Sequence, residues 1–239
     1  MRCLLIFGFA ILLLYSCKEP KNGKELIEMM HQKHSQNFYQ TLCFSQKVFH
    51  YNNDTLISED IWHEAYKSPG RLILKFTDWN SGNGMIFSND SLYVFDKGVL
   101  AKKIERLHDL IILGLDINNQ DPEKTIKQVK RMGYDLTLIN EVSLNGNFAW
   151  IVGDSTKLCF WVDAKSLLFL KMRRVTDSTF REVEFSKYDA IQGLAVATQI
   201  KFYNAPNKVE MIEEYFNVRV NCNVDDSIFY PFKFSSSKW

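Results

Sequence analysis

Apolar runs long enough to cross a membrane are missing from this sequence of 239 residues. A spanning helix needs roughly 20 apolar residues. The longest candidate, Cys3 to Tyr15, stops short of that and gives way to Lys18, Glu19, Pro20, Lys21 and Asn22. An excess of charge of either sign is missing too. The 29 Lys and Arg face 28 Asp and Glu, and that balance predicts neither nucleic acid nor a strongly anionic surface as partner. Cysteine is scarce: there are five, with no Cys-x-x-Cys pair and no Cys/His spacing of a zinc site. Gly-x-Ser-x-Gly, His-Glu-x-x-His and a phosphate-cradling glycine loop are absent. The glycine-rich stretch Trp79 to Gly84 lacks the helix start that phosphate loops use, and reads as a rim loop. No repeat of fixed period and no low-complexity tract appears. The sequence therefore predicts no catalytic residue, no cofactor and no metal site.

Weaker chemical signals come to the same end. His31 and His34 lie three apart on a helical pattern, but a zinc site needs more ligands than two and no other histidine has a place beside them. The paired acids Glu59-Asp60, Glu213-Glu214 and Asp225-Asp226 are adjacent, so on a strand each pair faces opposite ways. Glu182 and Glu184 share a face, yet Arg181 between them and Lys187 nearby make it a solvated sheet face.

What the first residues do carry is an export signal: a basic start, Met1 and Arg2, then an uncharged apolar run. Leu14-Tyr15-Ser16-Cys17 resembles the lipobox of bacterial lipoproteins, with an aliphatic residue three before the cysteine and a small one directly before it. The resemblance implies cleavage before Cys17, a diacylglycerol on its sulfur and acylation of its new amino group. Two or more chains anchor stably where one does not. The expected organisation is a signal peptide over 1–16, a lipidated tether over 17–23 and one domain over 24–239. Losing Arg2 with the signal takes the 29 basic residues to 28, against 28 acidic ones. The thiols that remain are Cys43, Cys159 and Cys222, a poor basis for a disulfide framework, and each is expected to pack as a small hydrophobe in a strand.

Along the domain, Leu26, Ile27, Met29, Met30 and Lys33 recur at helical spacing and predict an amphipathic helix over Lys24 to Asn37. From Phe38 the period changes to two. Strands are expected at Thr41–Tyr51, Thr55–Tyr66, Arg71–Thr77, Met85–Ser88, Leu92–Phe95 and Val99–Lys102, with short polar turns between them. Such links are too short for the crossovers of parallel strands, so the sheet should be an antiparallel meander. Two helices interrupt it. The first, Ile104 to Leu115, is unusually apolar and should be buried; the second is capped by Asp121, starts at Pro122 and stops at Gly133. Seven further strands follow, at Tyr134–Val142, Phe148–Val152, Leu158–Val162, Leu167–Val175, Phe180–Tyr188, Leu194–Tyr203 and Val209–Val218.

That order of elements resembles the carrier and receptor family for outer-membrane lipoproteins, LolA and LolB. Two local motifs add to the likeness: Phe160-Trp161-Val162-Asp163 leading through Ala164-Lys165-Ser166 into Leu167 to Met172, and Asp225-Asp226-Ser227-Ile228-Phe229. The resemblance implies an α+β fold, a curved antiparallel half-barrel whose apolar concave face is covered by the helices. Leu72, Leu74, Phe76, Trp150, Phe160 and Phe185 are the expected inward, ligand-lining positions. Leu107, Leu110, Ile111 and Gly114 belong to an expected lid helix, Gly114 easing displacement of its carboxyl end. The implied function is that of a non-catalytic carrier or receptor for a lipid or acylated lipoprotein, monomeric and held by Cys17 on the outer membrane facing the periplasm. The alternative is an envelope sensor or scaffold of the same fold that binds a partner protein and no lipid.

Overall fold

The computed structural model describes residues 19–239; the expected signal peptide, Cys17 and Lys18 lie outside the described residues. Helix α1 (Gly23–His34) starts where Asn22 caps it, the Asn22 Oδ1 accepting from the N–H groups of Lys24 and Glu25, both at 3.0 Å. Leu26, Ile27 and Met30 fall on one face and are buried. Gly23, expected in the tether, is inside the fold. Its N–H donates to the Leu136 carbonyl at 2.8 Å, and a Cβ there would stand 2.5 Å from Val152 Cγ1. Pro20 is buried as well.

Thirteen strands form one antiparallel sheet. They are β1 (Thr41–Asn52), β2 (Thr55–Lys67), β3 (Arg71–Phe76), β4 (Gly84–Ser88), β5 (Ser91–Asp96), β6 (Val99–Glu105), β7 (Ile139–Leu144), β8 (Asn147–Asp154), β9 (Leu158–Asp163), β10 (Phe169–Val175), β11 (Phe180–Ile191), β12 (Leu194–Ala205) and β13 (Lys208–Val220). Several hairpins turn through two consecutive residues of positive φ: Asn53-Asp54, Asn89-Asp90, Lys97-Gly98, Asn145-Gly146 and Gln192-Gly193. That is the turn whose twist matches the strands, and it fixes the register. Every strand pairs with its neighbours in sequence except at one place. Between β6 and β7 the chain leaves the sheet for residues 106–138, and the meander is joined instead through β1 and β13. The sheet is open, with β6 and β7 as its edges.

The excursion between those edges differs from the expected pair of helices. Ile104 and Glu105 belong to β6, where Ile104 stands opposite Leu92, so period-two pairing outlasts the helical pattern read there. Leu107 precedes any helical turn. The apolar run then winds as a π turn (Ile111–Leu115) passing into a 3₁₀ turn (Asp116–Asn118). Helix α2 (Pro122–Arg131) follows, with Asp121 accepting from Glu123 N–H at 3.0 Å and Gly133 at φ +96° beyond its end. Tyr134 and Leu136, expected in a strand, pack in the core ahead of β7.

Three of the four apolar clusters among the described residues set the layout of the interior. Leu26, Met30, Leu113 and Val129, from α1, the π turn and α2, pack against Val152, Phe160, Phe169 and Val183 of the sheet. Phe44, Tyr66, Leu72 and Phe87 form a second cluster with Ile111. On the opposite face, Cys43, Ala65, Ile73, Ile86 and Phe95 are covered by Val224 and by Phe229 and Phe234 of two C-terminal 3₁₀ turns. There Phe95 and Phe234 stack at 4.0 Å, and Asp226 pairs with Lys67 at 2.5 Å and Arg71 at 2.9 Å. Cys43 and Cys222 are joined in a disulfide, contrary to the expectation that all three thiols stay free. Pairing of β1 with β13 sets Cys43 opposite Arg219 and carries the chain past Val220 back to β1, a proximity across 179 residues that sequence spacing does not reveal. Cys159 is free and buried, and burial pushes its thiol up to about 12. Among the described residues no helix is long and apolar enough to cross a membrane.

Candidate ligand cavity

Reading across the ladder locates a continuous inner face. Met85, Leu74, Glu64 and Phe44 stand opposite one another on β4, β3, β2 and β1. From Val48, on the same face of β1, the row continues through Glu213, Ile200 and Phe185 on β13, β12 and β11. Residues of β4 and β11 bound one cavity of about 200 Å³. Six strand spacings of about 4.8 Å would hold those strands some 29 Å apart in a flat sheet, so the sheet curves strongly around the space. Tyr39, ahead of β1, and His108, Leu110, Ile111, Gly114 and Leu115, from the segment between β6 and α2, complete the wall.

Four of the six expected lining residues, Leu72, Leu74, Phe76 and Phe185, lie on this cavity. Trp150 and Phe160 share the same face of the sheet through their register, but sit in the cluster beneath α1 and α2 and do not border the space. Of the expected lid residues, Leu110, Ile111 and Gly114 border it and Leu107 does not. Gly114 has a reason other than a weak helix end. A Cβ there would come within 2.7 Å of Phe185 Cε2, so glycine lets the π turn lie against the ring. Gly114→Ala should therefore cost about 1–3 kcal/mol through overpacking, read as a lower melting temperature; an unchanged melt would show that Phe185 moves aside freely.

Both ends of that segment are held. Asp109 accepts from Arg174 Nη2 at 2.7 Å and from the Tyr134 hydroxyl at 3.0 Å. Burial alone would raise its carboxyl, but the Arg174 guanidinium and these bonds hold it below the ordinary value. At the other end, Asp116 is fully buried and accepts from the Tyr66 hydroxyl at 2.7 Å and Gly70 N–H at 3.0 Å. Burial pushes Asp116 up to about 6.

The cavity wall also carries two acids, Glu64 and Glu213, the second expected only as one of an adjacent pair split between faces. Glu64 and Glu213 are only 5% and 7% exposed. Burial pushes Glu213 up to about 8, with partial relief from the Gln46 amide and Arg181. Glu64 is raised well above the ordinary value by burial and then by Glu213. His108 is driven down to about 3 by burial, with Arg181 adding to the effect. Among the described residues no three His, Cys, Asp or Glu side chains gather as a metal site would require. His34 is turned to the Ser166 carbonyl at 2.9 Å, and Glu182 is paired with Lys171 at 3.2 Å and Arg173 at 2.7 Å.

The fold recurs in solved structures. A LolA superfamily protein from Nitrosomonas europaea superposes with a TM-score of 0.54 over 85% of this chain and 96% of that one, at 18% identity. This chain has a LolA-like fold. A protein of the DUF1329 family from Desulfovibrio piger matches the LolA-like domain with a TM-score of 0.58 at 15% identity, over 87% of this chain and 95% of that one. A domain from Vibrio parahaemolyticus assigned to outer membrane lipoprotein sorting gives 0.56 at 11% identity, over 85% and 94%. No protein-family model and no curated protein matches the sequence, so the likeness is one of LolA-like fold.

Proposed function

We propose that this protein is a membrane-anchored, non-catalytic carrier or receptor that takes a hydrophobic or acylated ligand into the curved sheet. The observation that carries this reading is the cavity itself, walled by Leu72, Leu74, Phe76, Phe185 and further aromatic side chains, a lining that binds by burial of hydrocarbon. Sorting of outer membrane lipoproteins, the role assigned to the Vibrio parahaemolyticus domain, supports the same class of ligand. The helical elements cover the concave face, and the chain is anchored through Cys17 on the outer membrane, facing the periplasm.

Size sets a condition on this function. A cavity near 150 Å³ admits benzene, and about 200 Å³ holds a short alkyl segment but not a long acyl chain. Entry of a long chain must displace part of the wall, and Leu110 to Leu115 is the segment that lies outside the sheet. It acts as a lid hinged between Asp109 and Asp116. Hydrogen exchange tests this: amides of Leu110 to Leu115 gain exchange when an acylated ligand is bound, and unchanged protection at saturation identifies a static plug. Anchoring has its own test. Cys17→Ala should move the protein out of the membrane fraction, and retention there after washing would overturn the single-anchor reading.

Partner-protein binding is the second reading, favoured by apolar groups on the outside. Phe232 is 81% exposed and stacks on Tyr230 at 5.7 Å, and Phe148 on β8 is 64% exposed.

A further inference from the structure

We propose that Glu64, Gln46 and Glu213 form a receptor for a cationic headgroup, the ammonium of an alkyl- or acyl-amine whose hydrocarbon lies along the aromatic walls. The inference rests on the carrier reading above and names the class of ligand it takes.

A cavity serving hydrocarbon alone gains nothing from two carboxyl groups, because removing them from water costs free energy that apolar residues would not incur. Both acids nevertheless line the space. Between β2 and β13, the Gln46 side chain on β1 is fully buried, and its Nε2 donates to Glu64 Oε1 at 2.9 Å. The other end of that amide, Oε1, has no partner; with the group turned over, its nitrogen would be the unpaired end instead. Unsatisfied buried polar groups are rare in folded proteins. Once one of the acids ionises, the cluster has acceptors to spare, which suits a ligand bringing several N–H groups.

The protein does not itself supply that cation. Among the described residues, no Lys, Arg or His makes an ion pair with Glu64 or Glu213. Arg181 on β11 lines the same cavity and eases the burial of Glu213 through space. His108, ahead of the π turn, is held neutral by burial. Tyr66 on β2, Tyr188 on β11 and Tyr215 on β13 are driven by burial to keep their protons. Phe44 and Tyr215 stack at 4.0 Å, and Trp62 stands 4.5 Å from Phe76, so ring faces that attract cations border the acids.

The proton count follows from the empty state. Burial pushes Glu213 up to about 8 and Glu64 well above the ordinary carboxylate value, so the empty site favours the protonated acids. A bound ammonium draws one of them to ionise, releasing one proton to solvent, and the site holds one cation against one carboxylate while the second acid stays neutral. Isothermal titration of the full-length chain with dodecylamine, dodecanol and dodecanoate, in two buffers of different ionisation enthalpy, tests this. The amine should bind about tenfold or more tighter than the alcohol, as charge-assisted bonds require, with release of roughly one proton. Glu64→Gln with Glu213→Gln should erase that preference and leave dodecanol binding in place, melting curves confirming that the variant is folded. Equal affinity for amine and alcohol would overturn the headgroup assignment while leaving the carrier reading intact. A preference for dodecanoate would also overturn it and give the headgroup to Arg181. Failure of all three to bind would remove the carrier reading itself and the inference with it.

Discussion

Reducing the Cys43–Cys222 disulfide should lower the melting temperature by about 10 °C. The bond closes a separation of 179 residues, for which chain entropy gives about 5 kcal/mol and removal of native disulfides typically costs about 2–5 kcal/mol. For a chain of this size 1 kcal/mol corresponds to roughly 2–4 °C. Position adds to the effect. β1 and β13 are joined only where the two halves of the meander meet, and the disulfide also ties down the start of the C-terminal segment that covers Ile73, Ile86 and Phe95. The measurement is a melt with and without reductant, paired with Cys43→Ala plus Cys222→Ala to exclude effects on Cys159. An equal melting temperature, with the free thiols verified by mass, would show that strand pairing alone holds the junction. Disulfides persist in oxidising compartments, which fits the proposed place of the protein in the envelope.

That junction also marks where sequence reading ends. Alternation and turn chemistry are local, and they predict thirteen strands in the right order because each hairpin is decided by a few residues, as Asn145-Gly146 decides β7 and β8. Pairing of the first strand with the last is decided by long-range burial and leaves no local mark, so the disulfide stays hidden with it. The apolar density of Ile104 to Leu115 suggests a regular helix that the structure does not form; Ile104 continues a ladder, and the π turn fits glycine against Phe185. For the site, a shared face was legible and its contents less so. Leu72, Leu74 and Phe76 follow from period two, whereas only helix packing on the other half of the sheet keeps Trp150 and Phe160 off the cavity. The acids did carry a signal. Trp62-x-Glu64-x-Tyr66 and Met211-x-Glu213-x-Tyr215 each place a carboxyl between large apolar neighbours on one face. The adjacent pair Glu213-Glu214 does split between faces; the partner of Glu213 is Glu64, two strands away.

Burial of these acids makes stability depend on pH in a direction the acids themselves fix. Glu213 titrates near 8 in the folded chain against 4.5 for an ordinary glutamate, so the folded state prefers its protonated form. Its favourable contribution is complete below about pH 4.5, falls as pH rises, and is gone once pH has passed through 8. Glu64 is shifted the same way. Other groups bend the curve lower down. Asp116, raised to about 6, has the same sign over a lower window. His108, lowered to about 3 from 6.5, has the opposite sign, because its neutral folded form stabilises above 6.5 and that advantage is lost as pH falls toward 3. The effect is therefore best read as a difference between wild type and Glu213→Gln. Glutamine keeps the shape and cannot ionise. The two proteins should melt alike near pH 5, and by pH 9 the variant should melt about 5 °C higher, equivalent to roughly 2 kcal/mol in a chain of this size. Differential scanning calorimetry at both pH values decides it. A constant gap between the two proteins would mean that Glu213 is ionised throughout, with Arg181 as the cation that holds it.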